Sequence, residues 1–477
     1  MRKILYLALP VLLLAACTKD ISRFNNETKK PTIVPGSMLF SNATRNMADG
    51  LINASVNVNV FRFTVNHWAM ATYQDEAQYN FTTRAIPQAW WTRFYRDVLK
   101  DLAEGARLIN ADAFLDAGIK QNQLAIIDIM QVYAYNVLIN TFGDIPYKAA
   151  LDGENVFPAY DDAKTVYTDL LKRLADDIGK LKTTSTAFAS ADDMLYGGSV
   201  AAWIRFANTL QFKMGMMLAD VDDATAKALV EASDAKAFTS SSQSAAFKYL
   251  TNSPNQSPLY TDIVVGGRAD YVAAKDLMDP LISLNDPRKT AFFTPNDAGN
   301  YAGGIVGASN PFEDFSRPSS KVSAADASYL FLDYTELEFL RAEAIERGYA
   351  VAGTAEQHYN NAITASINNW GGTAADAANY LAQPGVAYTT APAAGGWRQK
   401  IGFQKWIALY NRPFEGWTEI RRLDYPKLTP VVKAVSGFPN RFPYPGNEQQ
   451  LNNANYTTAA AKMGGDKVEF KLFWDKF

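Results

Sequence analysis

The chain holds one cysteine, Cys17, and two histidines, His67 and His358, among 477 residues. A lone thiol excludes an internal disulfide, so stability has to come from a large packed core. It also excludes zinc centres built from cysteine and histidine, and a Ser–His–Asp triad would have two histidines to choose from. The sequence contains no Gly-x-Ser-x-Gly elbow, no P-loop and no Gly-x-Gly-x-x-Gly segment. An all-oxygen calcium site in a loop stays open, although no EF-hand pattern marks one, and no cofactor is expected. Past the N-terminus there is no run of eighteen consecutive apolar residues. Lys and Arg number 46 against 49 Asp and Glu, a formal charge of −3, which argues against a nucleic-acid partner. Apolar residues make up 48% and aromatics 13%, enough for a sizeable core and too much for a disordered chain.

The N-terminus has its own pattern. Arg2 and Lys3 precede the apolar run Ile4 to Leu14, and Ala15-Ala16 stand before Cys17. That order is a basic region, a hydrophobic stretch too short to span a bilayer, and a small-residue cleavage site. Ending on cysteine, it resembles the lipobox of bacterial lipoproteins, whose thiol carries a diacylglycerol. Residues 1–16 then read as a lipoprotein signal peptide, Cys17 as the lipid attachment, and 17–35 as a polar tether. Residues 36–477 read as one domain.

Within that domain, Val166, Leu170, Leu174, Ile178 and Leu181 recur at helical spacing, while Lys172, Asp176, Asp177 and Lys180 face away. Tyr334, Leu337, Leu340 and Ala344 form a similar stripe, with Gly348 as a stop. Leu124 to Ile139 is apolar nearly all round, the signature of a helix buried between others. Further helices are expected at 37–58, 87–110, 200–220, 354–370 and 402–423, with a short one at 271–283. No strand alternation of any length is evident, so the expectation is an all-α fold. Phe238 to Ala325, with seven prolines and two Gly-Gly pairs, reads as a long loop region holding short helices, since a structureless loop of that length would be suspect unless functional.

Between Asn66 and Arg84, rings alternate with polar groups. Trp68, Tyr73 and Tyr79 stand among Asp75, Gln78 and Arg84. Flat apolar faces beside hydrogen-bonding side chains suit sugars, and suit peptides nearly as well. The bland alternative is that these rings cap helices and pack. Trp91 reads as core and Trp90 is undecided. Arg268, Asp270, Tyr301, Phe312 and Phe315 in the long loop form a weaker set. Asp-Asp pairs at 161–162, 176–177, 192–193 and 222–223 read as caps or solvated faces, although spatially paired carboxylates of a glycosidase stay open.

Several stretches together resemble the SusD/RagB-like outer-membrane nutrient-binding lipoproteins, in particular the SusD-like, starch-binding-associated branch. They are Thr141-Phe142-Gly143-Asp144-Ile145-Pro146-Tyr147, then Leu195-Tyr196-Gly197-Gly198 followed by Trp203 and Phe206-Ala207-Asn208. Glu338-Phe339-Leu340-Arg341-Ala342-Glu343-Ala344 with Arg347-Gly348-Tyr349 comes third. The last is Gln404-Lys405-Trp406 through Glu415-Gly416-Trp417 to Arg421-Arg422-Leu423-Asp424-Tyr425-Pro426, with Tyr444-Pro445 and Asn453-Ala454-Asn455-Tyr456 beyond it. Glu343 and Arg347 also form an i,i+4 pair by spacing alone. The resemblance implies four helix pairs packed like tetratricopeptide repeats, with long loops and extra helices. It further implies a surface-exposed, lipid-anchored, non-enzymatic protein of the outer membrane. Such a protein passes an oligosaccharide, or in some members a peptide, to a SusC-like TonB-dependent transporter. A secreted glycoside hydrolase and a purely protein-binding scaffold remain as alternatives.

Overall fold

Helix starts in this chain are set by short polar side chains that accept the first free backbone N–H groups. In the computed structural model, which describes residues 34–477, Asp116 accepts from Gly118 and Ile119 (2.9 and 3.0 Å), and Asp162 from Thr165 (2.9 Å). Ser199, Asp222, Asp333 and Thr354 do the same for four later helices. Residues 1–16, Cys17 and all but the last two positions of the expected tether lie outside the described residues. Gly36 to Phe477 forms one compact unit.

The chain opens with α1 (Gly36–Ile52), shorter than the expected 37–58. It stops because Asn59 folds back and donates its amide to the Gly50 and Leu51 carbonyls, both at 3.1 Å. α2 (Ile86–Thr92) runs through a π-helical segment (Arg93–Leu99) into α3 (Lys100–Ala111). α1 crosses α3 at Gly36 and Gly105, where a Cβ on Gly36 would lie 2.5 Å from the Gly105 carbonyl oxygen. Only glycine permits that approach.

Four helix pairs follow. α4 (Ala117–Phe142) packs on α5 (Ala163–Lys180), and α6 (Val200–Met217) on α7 (Asp223–Ser233). A short helix, α8 (Lys275–Ser283), lies in the long intervening segment. α9 (Tyr334–Glu346) packs on α10 (Ala355–Asn369), next to α11 (Ala374–Leu381). α12 (Gly396–Ala408) packs on α13 (Pro413–Leu423), and α14 (Asn453–Lys462) closes the list. Residues 234–333 separate the second pair from the third, which is why no fixed repeat period shows in the sequence. α4 is, among the described residues, long and apolar enough to cross a membrane. With 83% of its apolar window buried, it is instead the central core helix.

Two expectations need correction. The helix expected over 402–423 is two, because Pro413 lacks an N–H and its ring would clash with the preceding turn; it starts α13 instead. The helix expected from Tyr271 begins at Lys275, since Tyr271–Ala273 is a strand. Among the described residues six short strands occur, β1 (Trp68–Met70), β2 (Ala246–Phe247), β3 (Tyr271–Ala273), β4 (Phe293–Thr294), β5 (Arg317–Pro318) and β6 (Tyr329–Leu330). They make three antiparallel two-stranded ladders, β1–β3, β2–β6 and β4–β5. At two or three residues each, they leave no alternation to read, and the fold stays all-α in substance.

Charged residues of the sequence motifs tie the helix pairs together from inside. Lys213 on α6 pairs with Glu336 on α9 (3.0 Å) and with Glu415 on α13, and Arg412 reaches Glu336 at 2.7 Å. Glu343 takes Arg422 at 2.5 Å and Arg347 at 2.9 Å, the latter being the pair expected from spacing. Glu419 bridges Arg422 (2.6 Å) and Lys405 (2.7 Å). Burial pushes the Glu343 carboxyl up, but Arg422 and Arg347 outweigh it and hold the group down at about 2. Buried ions need such full pairing, because an unpaired one costs several kcal/mol. These motifs therefore specify the frame.

Candidate ligand-binding site

β1 and β3 join at Trp68↔Ala273, Ala69↔Val272 and Met70↔Tyr271, which sets the Asn66–Arg84 segment beside the long loop. Past the ladder, Ala71 N–H donates to the Asp270 carbonyl at 2.7 Å, and the Thr72 hydroxyl donates to the Asp270 carboxylate. Two sets of residues nominated separately in the sequence thus meet at one place.

The first set divides between core and surface. Trp68 is fully buried: its indole donates to the Tyr410 hydroxyl at 2.9 Å, and the Arg62 guanidinium lies over the ring at 4.9 Å. It is a core residue and does not line a ligand face, which corrects the expectation. The pleat decides this, since alternate residues of a strand face opposite ways and both faces of β1 are covered. Tyr79 is also buried, with Phe438 edge-on at 6.3 Å, and burial raises its hydroxyl well above the ordinary range. Gln78 staples three loops: its amide donates to the Gly307 carbonyl at 2.7 Å, and its own carbonyl accepts from Val435 N–H at 2.9 Å. Arg84 pairs with the buried Glu76 while lying 5.4 Å over the Tyr73 ring. Tyr73 is 54% exposed, and Asp75 is exposed beside it. Of six candidates, Tyr73, Asp75 and part of Arg84 face solvent.

The weaker set supplies more of the surface. Arg268 pairs with Asp270 at 2.7 Å and lies 5.7 Å over the Tyr271 ring, whose hydroxyl donates to Asp262 at 2.6 Å. Arg317 lies 5.0 Å over Phe312 and pairs with Asp297 at 2.6 Å. Arg268, Tyr271, Phe312 and Arg317, with Ile263 and Pro295, line a cleft of about 380 Å³. Tyr301 is half-buried with the Lys289 ammonium 4.8 Å from its ring centre. Arg317 was not nominated from sequence. It reaches the cleft through the β4–β5 register, Thr294↔Arg317, which no local pattern reveals. Trp90 and Trp91 are both buried.

This surface offers aromatic faces, guanidinium groups and carboxylates of balanced charge. Its guanidinium groups are already paired, Arg84 with Glu76, Arg268 with Asp270 and Arg317 with Asp297, so they present fixed hydrogen-bond donors. His67 is buried, its Nε2 lies 3.1 Å from the Trp406 carbonyl, and burial lowers its pKa to about 3. His358 pairs with Glu338 at 2.8 Å between α9 and α10. Among the described residues no group of three His, Cys, Asp or Glu side chains could hold a metal.

Helix pairs packed in this way, with long loops between them, define an all-α fold of the tetratricopeptide-like class. The family described as "Starch-binding associating with outer membrane" matches residues 25–445, and the chain belongs to this SusD-like family. No curated protein matches the sequence. Among solved structures, the fold is similar to a chitin-binding protein at 24% identity and TM-score 0.80, covering 93% of this chain and all of that one. A chitin-binding SusD homolog from Flavobacterium johnsoniae superposes with TM-score 0.78 at 24% identity, covering 92% and 98%. A SusD homolog from Bacteroides uniformis gives 0.77 at 23% identity, covering 92% and 99%.

Proposed function

We propose that this chain is a non-enzymatic glycan-capture protein of the cell surface, held on the outer membrane by a lipid on Cys17. The bound oligosaccharide is passed to a SusC-like TonB-dependent transporter, which supplies the energy. The observation that carries the reading is the Arg268–Phe312–Arg317 cleft, to which the Asn66–Arg84 segment is tied through the contact of Thr72 with Asp270 and of Asp270 with Arg268. Rings that accept C–H faces stand there beside fixed donors and acceptors for hydroxyls. Family membership and chitin binding by relatives of the same fold support a glycan over other polar oligomers. A tether placing a moderate-affinity site over a pore raises the local ligand concentration without any new contact.

Calorimetry of the purified domain with neutral oligosaccharides from chitin, starch, xylan and mannan tests this. Tyr73→Ala and Arg317→Ala should each weaken binding about tenfold, or ~1.4 kcal/mol, at unchanged melting temperature. Chromatography of the same mixtures should show no products. Cleavage products would establish a hydrolase, and failure of every glycan to bind would overturn the capture reading.

A further inference from the structure

A second, larger cleft is lined by residues other than those of the cleft just described. It has a volume of about 770 Å³ and opens between the Tyr196 turn, the serine-rich 241–248 segment, the 321–330 segment and the C-terminal half of α10. That volume is in the range of small-molecule and saccharide sites. Past Trp370 it meets a second hollow of about 380 Å³, because Trp370 and Lys321 line both. Together they make one groove with Trp370 at its middle.

The groove's chemistry is that of hydroxyls and amides. Ser241, Ser242, Ser328, Asn369 and Asn411 line the larger part, and Thr290 with Ser320 the smaller. Its charges balance. Lys248 and Lys321 stand against Asp326 and Asp376, while Arg412 is held by Glu336 at 2.7 Å. Asp333 is occupied as the cap of α9, accepting from Thr335 N–H at 3.1 Å and from the Ser244 hydroxyl at 3.2 Å. A balanced, hydroxyl-rich wall has no preference for an ion and every capacity for a neutral polyol.

Trp370 is fixed at the turn of the groove. Its ring packs edge-on against Phe292 at 4.8 Å and against Tyr410 at 5.8 Å, and the residue is half-buried. The Lys321 ammonium donates to the Trp370 carbonyl at 2.5 Å, capping the C-terminal end of α10. It lies against Gly371, where a Cβ would come within 2.6 Å of that nitrogen. The indole is therefore a preorganised platform of low entropic cost.

We propose that this groove is a second glycan site, separate from the loop cluster, taking a neutral oligosaccharide across Trp370. The inference rests on the capture reading above and adds to it a second place of contact on the same chain. Two sites on one domain let it hold a branched or long chain at two points, and so bind it more tightly than either alone.

Calorimetry with the same chitin, starch, xylan and mannan oligosaccharides should give a two-site isotherm for the native chain. Ser328→Trp, which fills the groove from its wall, should remove one class of site and leave the other. Trp370→Phe should weaken that same class about tenfold, and Asn369→Ala by a smaller factor. Tyr73→Ala should affect the complementary class alone. Thermal melting of every variant controls for folding, and Asn369 is exposed on the helix end, where truncation leaves packing intact. A one-site isotherm abolished by Tyr73→Ala and untouched by Ser328→Trp and Asn369→Ala would overturn the second site while leaving capture standing. No binding of any glycan by the native chain would overturn both.

Discussion

Trp68→Ala should lower the melting temperature by about 5 °C while glycan affinity stays within about twofold of native. The ring has no exposed surface, so truncation leaves a cavity in the core. Aromatic-to-alanine changes at such sites cost about 3–5 kcal/mol. The hydrogen bond to Tyr410 adds about 1 kcal/mol. Arg62 is left worse off as well: burial already lowers its pKa to about 10, and no carboxylate compensates. For a domain of about 440 residues the unfolding entropy is about 0.9 kcal/mol per degree, which converts ~5 kcal/mol into about 5 °C. Calorimetric melting and glycan titration on one preparation give both readouts. A variant with native melting temperature and lost affinity would place the ring on the ligand face and refute the packing argument.

Other outcomes follow from particular groups. Glu343→Ala should destabilise the domain by about 3–5 kcal/mol in urea unfolding, because Arg422 and Arg347 lose a shared buried partner. Asp177, expected on the outward face of its helix, is instead buried beside Asp128 on the neighbouring helix, and its carboxyl is pushed up to about 8 by burial and then by that neighbour, whose own charge Arg173 holds. Between about pH 4 and pH 8 the folded chain binds this proton and the unfolded chain does not, so the pair's contribution falls as pH rises through that window, by up to ~1.4 kcal/mol per unit. Asp177→Asn should flatten the dependence and melt above native at pH 8, with little difference at pH 4; a parallel pair of melting curves would refute it. Cys17→Ala should release the protein from the membrane fraction of its host, and retention would overturn the lipid anchor.

Much of the frame was legible because helices announce themselves locally. The stripe from Val166 to Leu174 gave α5, the all-round apolar run gave the buried α4, and the spacing of Glu343 and Arg347 gave an ion pair found at 2.9 Å. Pro413 carried the signal for the break between α12 and α13, which the 402–423 reading passed over. Local pattern says little where contacts come from far along the chain. Arg422 meets Glu343 and Lys213 meets Glu415 across distant segments, and nothing in either neighbourhood names the partner.

Sequence by itself determined the helical class and the family, since these depend on composition, short-range periodicity and local motifs. Tertiary structure alone decided which rings are walls and which are surface. Trp68 and Tyr73 stand five positions apart in the same polar-aromatic stretch, yet one is sealed under Tyr410 and the other faces solvent. Burial is a property of what packs against a residue, and here that neighbour is supplied by segments hundreds of residues away. The same holds for Arg317 and Trp370, whose places in their clefts come from strand register and helix packing that no local spacing encodes.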